Sequence, residues 1–239
     1  MLFRSIDDTV WDPAADPHLA KHYSFRSLGS RTANRKAVQQ RFGLDEDETA
    51  PLFSVVSRLV WQKGMDLLLS ILPSVAATGA QIAVLGSGDR ALERGVMEAV
   101  TDHPGQAAVV LGYDETLAHL LQGGADAILV PSRFEPCGLT QLCALRYGCV
   151  PVVARVGGLA DTVIDANPAA LGDGVATGFQ FAPVSAEALA DGISRAATLF
   201  RDQAQWRKVQ RRGMTRRLGW DRAGEEYAAL YRATVALPR

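Results

Sequence analysis

The chain has almost no charge imbalance: 25 Lys and Arg stand against 26 Asp and Glu, for a formal net charge of −1. Without a basic excess there is no long-range pull toward nucleic acid or an anionic membrane, so neither is an expected partner. Cysteine is scarce. Cys137, Cys143 and Cys149 recur every six residues, which is no metal-ligand spacing and keeps no helix face. Their odd number argues against a disulfide framework and for a reducing, cytoplasmic setting. No apolar run approaches the about 18 residues of a bilayer span. Met1–Ser5 is too short for a signal peptide and reads as the edge of a truncated frame. Fixed-period repeats and low-complexity tracts are also missing.

What is present is a core-forming composition, 48% hydrophobic and 21% charged over 239 residues, with an alternating order of elements. Short apolar runs predict strands at Leu52–Ser57, Gln81–Leu85, Ala107–Leu111, Ala127–Val130 and Val150–Ala154, with a weaker one at Gly178–Phe181. Helical spacing between them falls at Met65–Ala77, Ala91–Val100, Glu115–Gln122, Leu139–Tyr147 and Leu159–Ile164. Further helices are expected at Arg31–Phe42, Ala186–Phe200, Gln203–Met214 and Arg222–Val235. This alternation means right-handed βαβ units: an α/β fold with a Rossmann-like parallel sheet and helices on both faces. The strands are continuously apolar, as burial on both faces requires. Residues 1–45 are rich in Asp, Pro and Arg and read as an irregular lead-in with one helix.

In such a sheet, ligands bind beyond the carboxyl ends of the strands. Five segments share that rim. Ser57–Gly64 carries Arg58 and Lys63, two cations able to neutralise a pyrophosphate, or simply a solvated basic loop. Gly86-Ser87-Gly88-Asp89-Arg90-Ala91 matches the dinucleotide pattern G-x-G-x-x-A, but it follows the second strand. No acidic residue lies at the end of the next strand to hold a ribose. It reads as close backbone approach to a ligand or a strand, and a nicotinamide-dependent oxidoreductase is the weaker alternative. Gly112-Tyr113 offers an aromatic ring to a nucleobase, or a packed Tyr. Pro131–Gln141 contains Glu135 before a helix whose first amides belong to Gly138, Leu139 and Thr140. Such a turn offers donors to a phosphate and a carboxylate to a sugar hydroxyl, unless Glu135 serves the helix dipole alone. Cys137 has no His in its segment to activate it, so it reads as packing. Val156–Val163 carries a Gly pair before another helix, or a plain βα turn.

Taken together, these strings resemble the C-terminal half of bacterial glycogen synthases and starch synthases. The likeness extends through Gly123-Gly124-Ala125-Asp126, Ala144–Gly148, Asp173–Phe179, and Trp220 with Tyr227 and Tyr231. Ile6-Asp7, Trp11-Asp12-Pro13 and Asp16 resemble that family's interdomain junction. The resemblance implies a GT-B architecture of two Rossmann-like domains around a cleft. It implies retaining transfer of glucose from ADP-glucose to the non-reducing end of an α-1,4-glucan, with no metal and no cofactor. Carried over, Arg58, Lys63 and Glu135 are the catalytic set. Arg58 and Lys63 bind the diphosphate, Gly112 and Tyr113 face adenine, and Glu135 holds glucose hydroxyls. The backbone of Cys137, Gly138 and Leu139 assists, and Thr140 lies near the phosphates.

The implied division is a lead-in over 1–45, a nucleotide-sugar-binding domain over 46–218 and a closing helix over 219–239. The family's acceptor-binding N-terminal domain, with its Lys-x-Gly-Gly loop, is not in the sequence. The chain alone is therefore expected to be inactive, and a stand-alone module that binds ADP-sugar or glucan without turnover is the alternative. A second Glu, common in related enzymes eight positions after the first, is replaced by Cys143. The basic run Arg201, Arg207, Lys208, Arg211, Arg212, Arg216, Arg217 and Arg222 is expected to be a solvated helix face. Trp220, Tyr227, Leu230 and Tyr231 on the last helix are expected to leave an apolar patch. Self-association of the chain, read by light scattering, follows from that.

Overall fold

A computed structural model describes residues 5–235, the Arg222 side chain apart; the expectation for Met1–Arg4 lies outside them. The apolar runs become the strands β1 (Leu52–Val56), β2 (Gln81–Gly86), β3 (Ala107–Leu111), β4 (Ala127–Val130), β5 (Val150–Ala154) and β6 (Phe179–Phe181). They form one sheet in the order β3-β2-β1-β4-β5-β6, with every neighbouring pair parallel. The order reverses between β1 and β4, the switch point at which an open parallel sheet leaves a crevice.

Ten helices are described: α1 (Arg31–Phe42), α2 (Met65–Ala76), α3 (Arg90–Thr101), α4 (Glu115–Gly124), α5 (Thr140–Tyr147), α6 (Gly157–Thr162), α7 (Pro168–Gly172), α8 (Ala186–Arg201), α9 (Gln203–Met214) and α10 (Trp220–Val235). Their starts are set locally. Asp89, Asp114, Asn167, Ser185 and Asp202 each accept a bond from a first-turn amide, the contact that orphan helix donors need.

The helices cover both faces. Leu68 and Leu72 of α2, Leu189 and Ile193 of α8, and Trp206 and Val209 of α9 pack with Phe53, Val55, Ile82 and Val84. On the other face, Val38 and Phe42 of α1 and Leu117 and Leu121 of α4 pack with Leu52, Ala83, Ile128 and Val153. Each such buried side chain contributes about 1.5–3 kcal/mol.

The lead-in is irregular, as its composition predicts, yet it is held down. The Ile6 amide donates to the Leu218 carbonyl at 3.0 Å. Trp11 stacks on His119 of α4 with 3.8 Å between ring centroids. Asp16 accepts from Tyr147 Oη at 2.5 Å and lies 2.8 Å from His119 Nδ1. Tyr23 Oη donates to the Tyr147 carbonyl at 2.7 Å.

Candidate active site

The first wall of the site follows β1. After Leu59 the chain makes a short 3-10 turn, Trp61–Lys63, ending at Gly64 with φ 70°. A side chain at Gly64 would collide with the Pro131 carbonyl, so this glycine lets the loops behind β1 and β4 touch. Polar contacts then join them. The Arg133 amide donates to the Gln62 carbonyl at 2.9 Å, and Gln62 Nε2 to the Phe134 carbonyl at 3.2 Å. Arg133 grips Asp66 through both terminal nitrogens, at 2.6 and 2.7 Å, and lies over the Trp61 ring. That guanidinium holds the Asp66 carboxyl below the usual carboxylate range. Arg133 and Asp66 carry no role in the sequence reading. Their pairing spans 67 positions, and no local pattern announces it.

Inside this clamp, Lys63 Nζ forms an ion pair with Glu135 Oε2, and Ser132 Oγ donates to the same oxygen at 3.2 Å. Both side chains are mostly buried, 19% and 12% exposed. Ser57, Lys63, Ser132, Glu135 and Thr140 line one small cavity at the carboxyl ends of β1 and β4. An ammonium has three donors, so two remain for a phosphate beside Glu135. Arg58 stands exposed on the same loop. Among the described residues its side chain makes no hydrogen bond or ion pair, which leaves its whole donor fork available.

The alternatives left open by the sequence divide here. Glu135 is no helix-dipole partner, because α5 starts five residues later at Thr140. The expected helix start at Leu139 moves accordingly, and Gly138 and Leu139 lie before the helix. Gly138 takes a φ of 71°, and buried Gln141 donates back to its carbonyl at 2.9 Å, closing the turn from within. Tyr113 is not packed; it is 85% exposed at the end of β3. Gly86 and Gly88 approach a neighbouring strand segment: added side chains would overlap the carbonyls of Ser57 and Leu59. Asp89 caps α3, so the G-x-G-x-x-A string is occupied by internal contacts.

The Gly157-Gly158 pair supports the site from behind. The Gly158 amide donates to the Glu135 carbonyl at 2.9 Å, and a side chain at Gly158 would overlap the Cys137 carbonyl. Cys143 faces away from the rim, buried with Ile6, Leu142, Leu145 and Leu218. Burial pushes its thiol, like that of Cys149, up to about 12. Among the described residues no group of three His, Cys, Asp or Glu is placed to hold a metal ion. No helix among them is long and apolar enough to cross a membrane.

The profile of the family described as glycosyl transferases group 1 matches residues 37–212. The chain belongs to the group 1 glycosyltransferases. This group 1 glycosyltransferase is 55% identical over 234 residues to the glycogen synthase of Rhodopseudomonas palustris strain HaA2, covering 98% of the chain and 48% of that relative. It is 53% identical over 235 residues to the glycogen synthase of Mesorhizobium japonicum, covering 98% and 49%. It also superposes on the catalytic domain of starch synthase IV from Arabidopsis thaliana, solved with ADP and acarbose. The TM-score is 0.90 at 30% identity, over 98% of this chain and 48% of that one. The fold is thus a Rossmann-like domain of the GT-B type. The chain spans about half the length of the curated relatives it matches.

Proposed function

We propose that this chain supplies the donor-binding half of a glycogen synthase, acting in the cytoplasm. The reaction moves glucose from ADP-glucose to the non-reducing end of an α-1,4-glucan with retention at the anomeric carbon. The observation that carries this reading is the meeting of the Lys63 ammonium and the Glu135 carboxylate at the switch point of the sheet. One group suits a diphosphate and the other a sugar hydroxyl. The names of the relatives support the product, and the ADP in the starch synthase IV structure supports the nucleotide.

In this reading Lys63 and Arg58 neutralise the diphosphate in place of a metal ion. Tyr113 stacks on adenine beside Gly112. Glu135 accepts from glucose hydroxyls, with the backbone of Cys137, Gly138 and Leu139 alongside, and Thr140 lies near the phosphates. The bond from the anomeric carbon to the β-phosphate oxygen breaks, and its electron pair leaves with ADP. The acceptor hydroxyl bonds to that carbon on the same face and gives its proton to the departing phosphate. Charge grows on the phosphate as the bond breaks, so preorganised cations there stabilise the transition state more than the ground state. The donor domain is assigned to residues 46–218, with α10 (Trp220–Val235) as the closing helix. This donor side is one wall of a GT-B cleft and does not by itself position the glucan.

Calorimetric titration of the chain and of Lys63→Ala with ADP, UDP and NAD tests this. ADP is expected to bind, and Lys63→Ala to weaken it about tenfold or more, the worth of one charged hydrogen bond. Equal ADP binding by both proteins removes Lys63 from the site.

A further inference from the structure

The basic run is exposed as expected, with Arg216 half-buried among its described side chains. Arg216 donates to the Thr162 carbonyl at 2.6 Å and Arg211 to the Phe25 carbonyl at 3.2 Å. Arg201 and Arg207 instead edge a cavity of about 500 Å³, large enough for a small metabolite. It lies at the foot of the sheet, where Glu48 and Thr49 precede β1 and Gly124 and Asp126 precede β4. Lys63 and Glu135 follow the same two strands. The length of β1, about 16 Å at strand rise, therefore separates the cavity from the rim.

Four arginines line this cavity, Arg31, Arg35, Arg201 and Arg207, against two carboxylates, Glu48 and Asp126. Asp126 is already paired with Arg35. Two cations therefore remain in excess, and Arg201 and Arg207 are exposed, with no side-chain partner among the described residues. The floor adds a separate signal. Trp206 and Arg35 are 2% and 6% exposed, and Trp206 Nε1 and Arg35 Nε are buried without a hydrogen-bond partner. Both belong to residues that line the cavity, and buried N–H groups without an acceptor are rare. Phe200 and Trp206 supply an apolar wall, and Thr32 and Thr49 supply hydroxyls.

We propose that this cavity is a second binding site, for a sugar monophosphate whose phosphate meets Arg201 and Arg207 and whose ring lies against Phe200 and Trp206. It is independent of the donor site in location and in residues.

Calorimetry with inorganic phosphate and with ribose 5-phosphate tests it on the chain, on Lys63→Ala, and on the double variant Arg201→Ala, Arg207→Ala. Both arginines are exposed, so the double variant should keep its thermal midpoint. Ribose 5-phosphate is expected to bind the chain and Lys63→Ala alike at one site. The double variant should weaken it at least about tenfold, with inorganic phosphate weaker but equally dependent on the arginines. Nuclear magnetic resonance of the Trp206 indole N–H, assigned through Trp206→Phe, should shift on titration with ribose 5-phosphate. No binding at millimolar ligand, unchanged binding by the double variant, or loss in Lys63→Ala alone overturns the proposal.

Discussion

Two carboxylates organise two polar clusters in this molecule, and they are built differently. Asp16 is 1% exposed, and both its oxygens are occupied: Oδ1 by the His18 amide at 2.9 Å, Oδ2 by Tyr147 and His119. Glu135 holds Lys63 and Ser132 on Oε2, while its Oε1 has no hydrogen-bond partner among the described residues. Asp16 has donors on every side and nothing left to offer. Glu135 stands among loop residues with an acceptor oxygen and a neighbouring ammonium still available. A closed network fixes the chain; an open one leaves affinity for something else.

The largest expected effect breaks the closed cluster. Asp16→Ala leaves the Tyr147 hydroxyl and the His119 ring buried with only each other, 3.4 Å apart, at a cost of about 3 kcal/mol in urea unfolding. Glu135→Gln should cost about 1 kcal/mol or less, since its cluster is partly open to water. Equal costs would erase the distinction. Acidity sharpens it. Burial raises the Asp16 carboxyl, but hydrogen bonds from Tyr147, the His18 amide and His119 outweigh burial and hold it below its ordinary value. The unfolded chain then binds that proton more readily than the folded one. The stabilisation is complete above an unfolded value of about 3.9 and is lost as pH falls through the lower folded value. Unfolding measured from pH 5 downward should show that loss in the parent chain and less of it in Asp16→Asn.

Next in size is the support behind the open cluster. Gly158→Ala sets a methyl group against the Cys137 carbonyl, which has no flexible end to yield. The β4 loop must shift, and the Gly158 amide bond to Glu135 weakens with it. A loss of about 2 kcal/mol in stability is expected, together with loss of detectable ADP binding in calorimetry. Retained ADP affinity would mean that the loop's position does not matter to the nucleotide.

How much of this was legible in the sequence depends on the range of each contact. The strands Ala107–Leu111, Ala127–Val130 and Val150–Ala154 are readable to the residue, because turn signals bound all three and both faces of the last two are buried. Helix α7 was not, although Asn167-Pro168 is a capping signal; five residues are too few to show a period. The spacing puts the start of α5 one residue early, at Leu139, which caps the helix through its carbonyl, accepting from the Leu142 and Cys143 amides. Lys63 and Glu135 were visible as chemistry on two rim loops, since strand order alone places both loops at one end of the sheet. The clamp of Arg133 on Asp66 and the anchoring of Asp16 by Tyr147, 131 positions away, were not. Only the fold brings those partners together.

The smallest effect belongs to Tyr113, and it separates ligand contact from structure most cleanly. At 85% exposure the ring contributes little to the folded chain, so Tyr113→Ala should change stability by about 0.5 kcal/mol or less. If the ring stacks on adenine, the substitution removes about 1 kcal/mol of binding, roughly a fivefold loss in ADP affinity. Pyrophosphate has no base to stack, so its binding should stay unchanged in Tyr113→Ala and fall in Lys63→Ala. A parallel loss of pyrophosphate and ADP in Tyr113→Ala would show that the ring acts by shaping the rim and not by meeting the base.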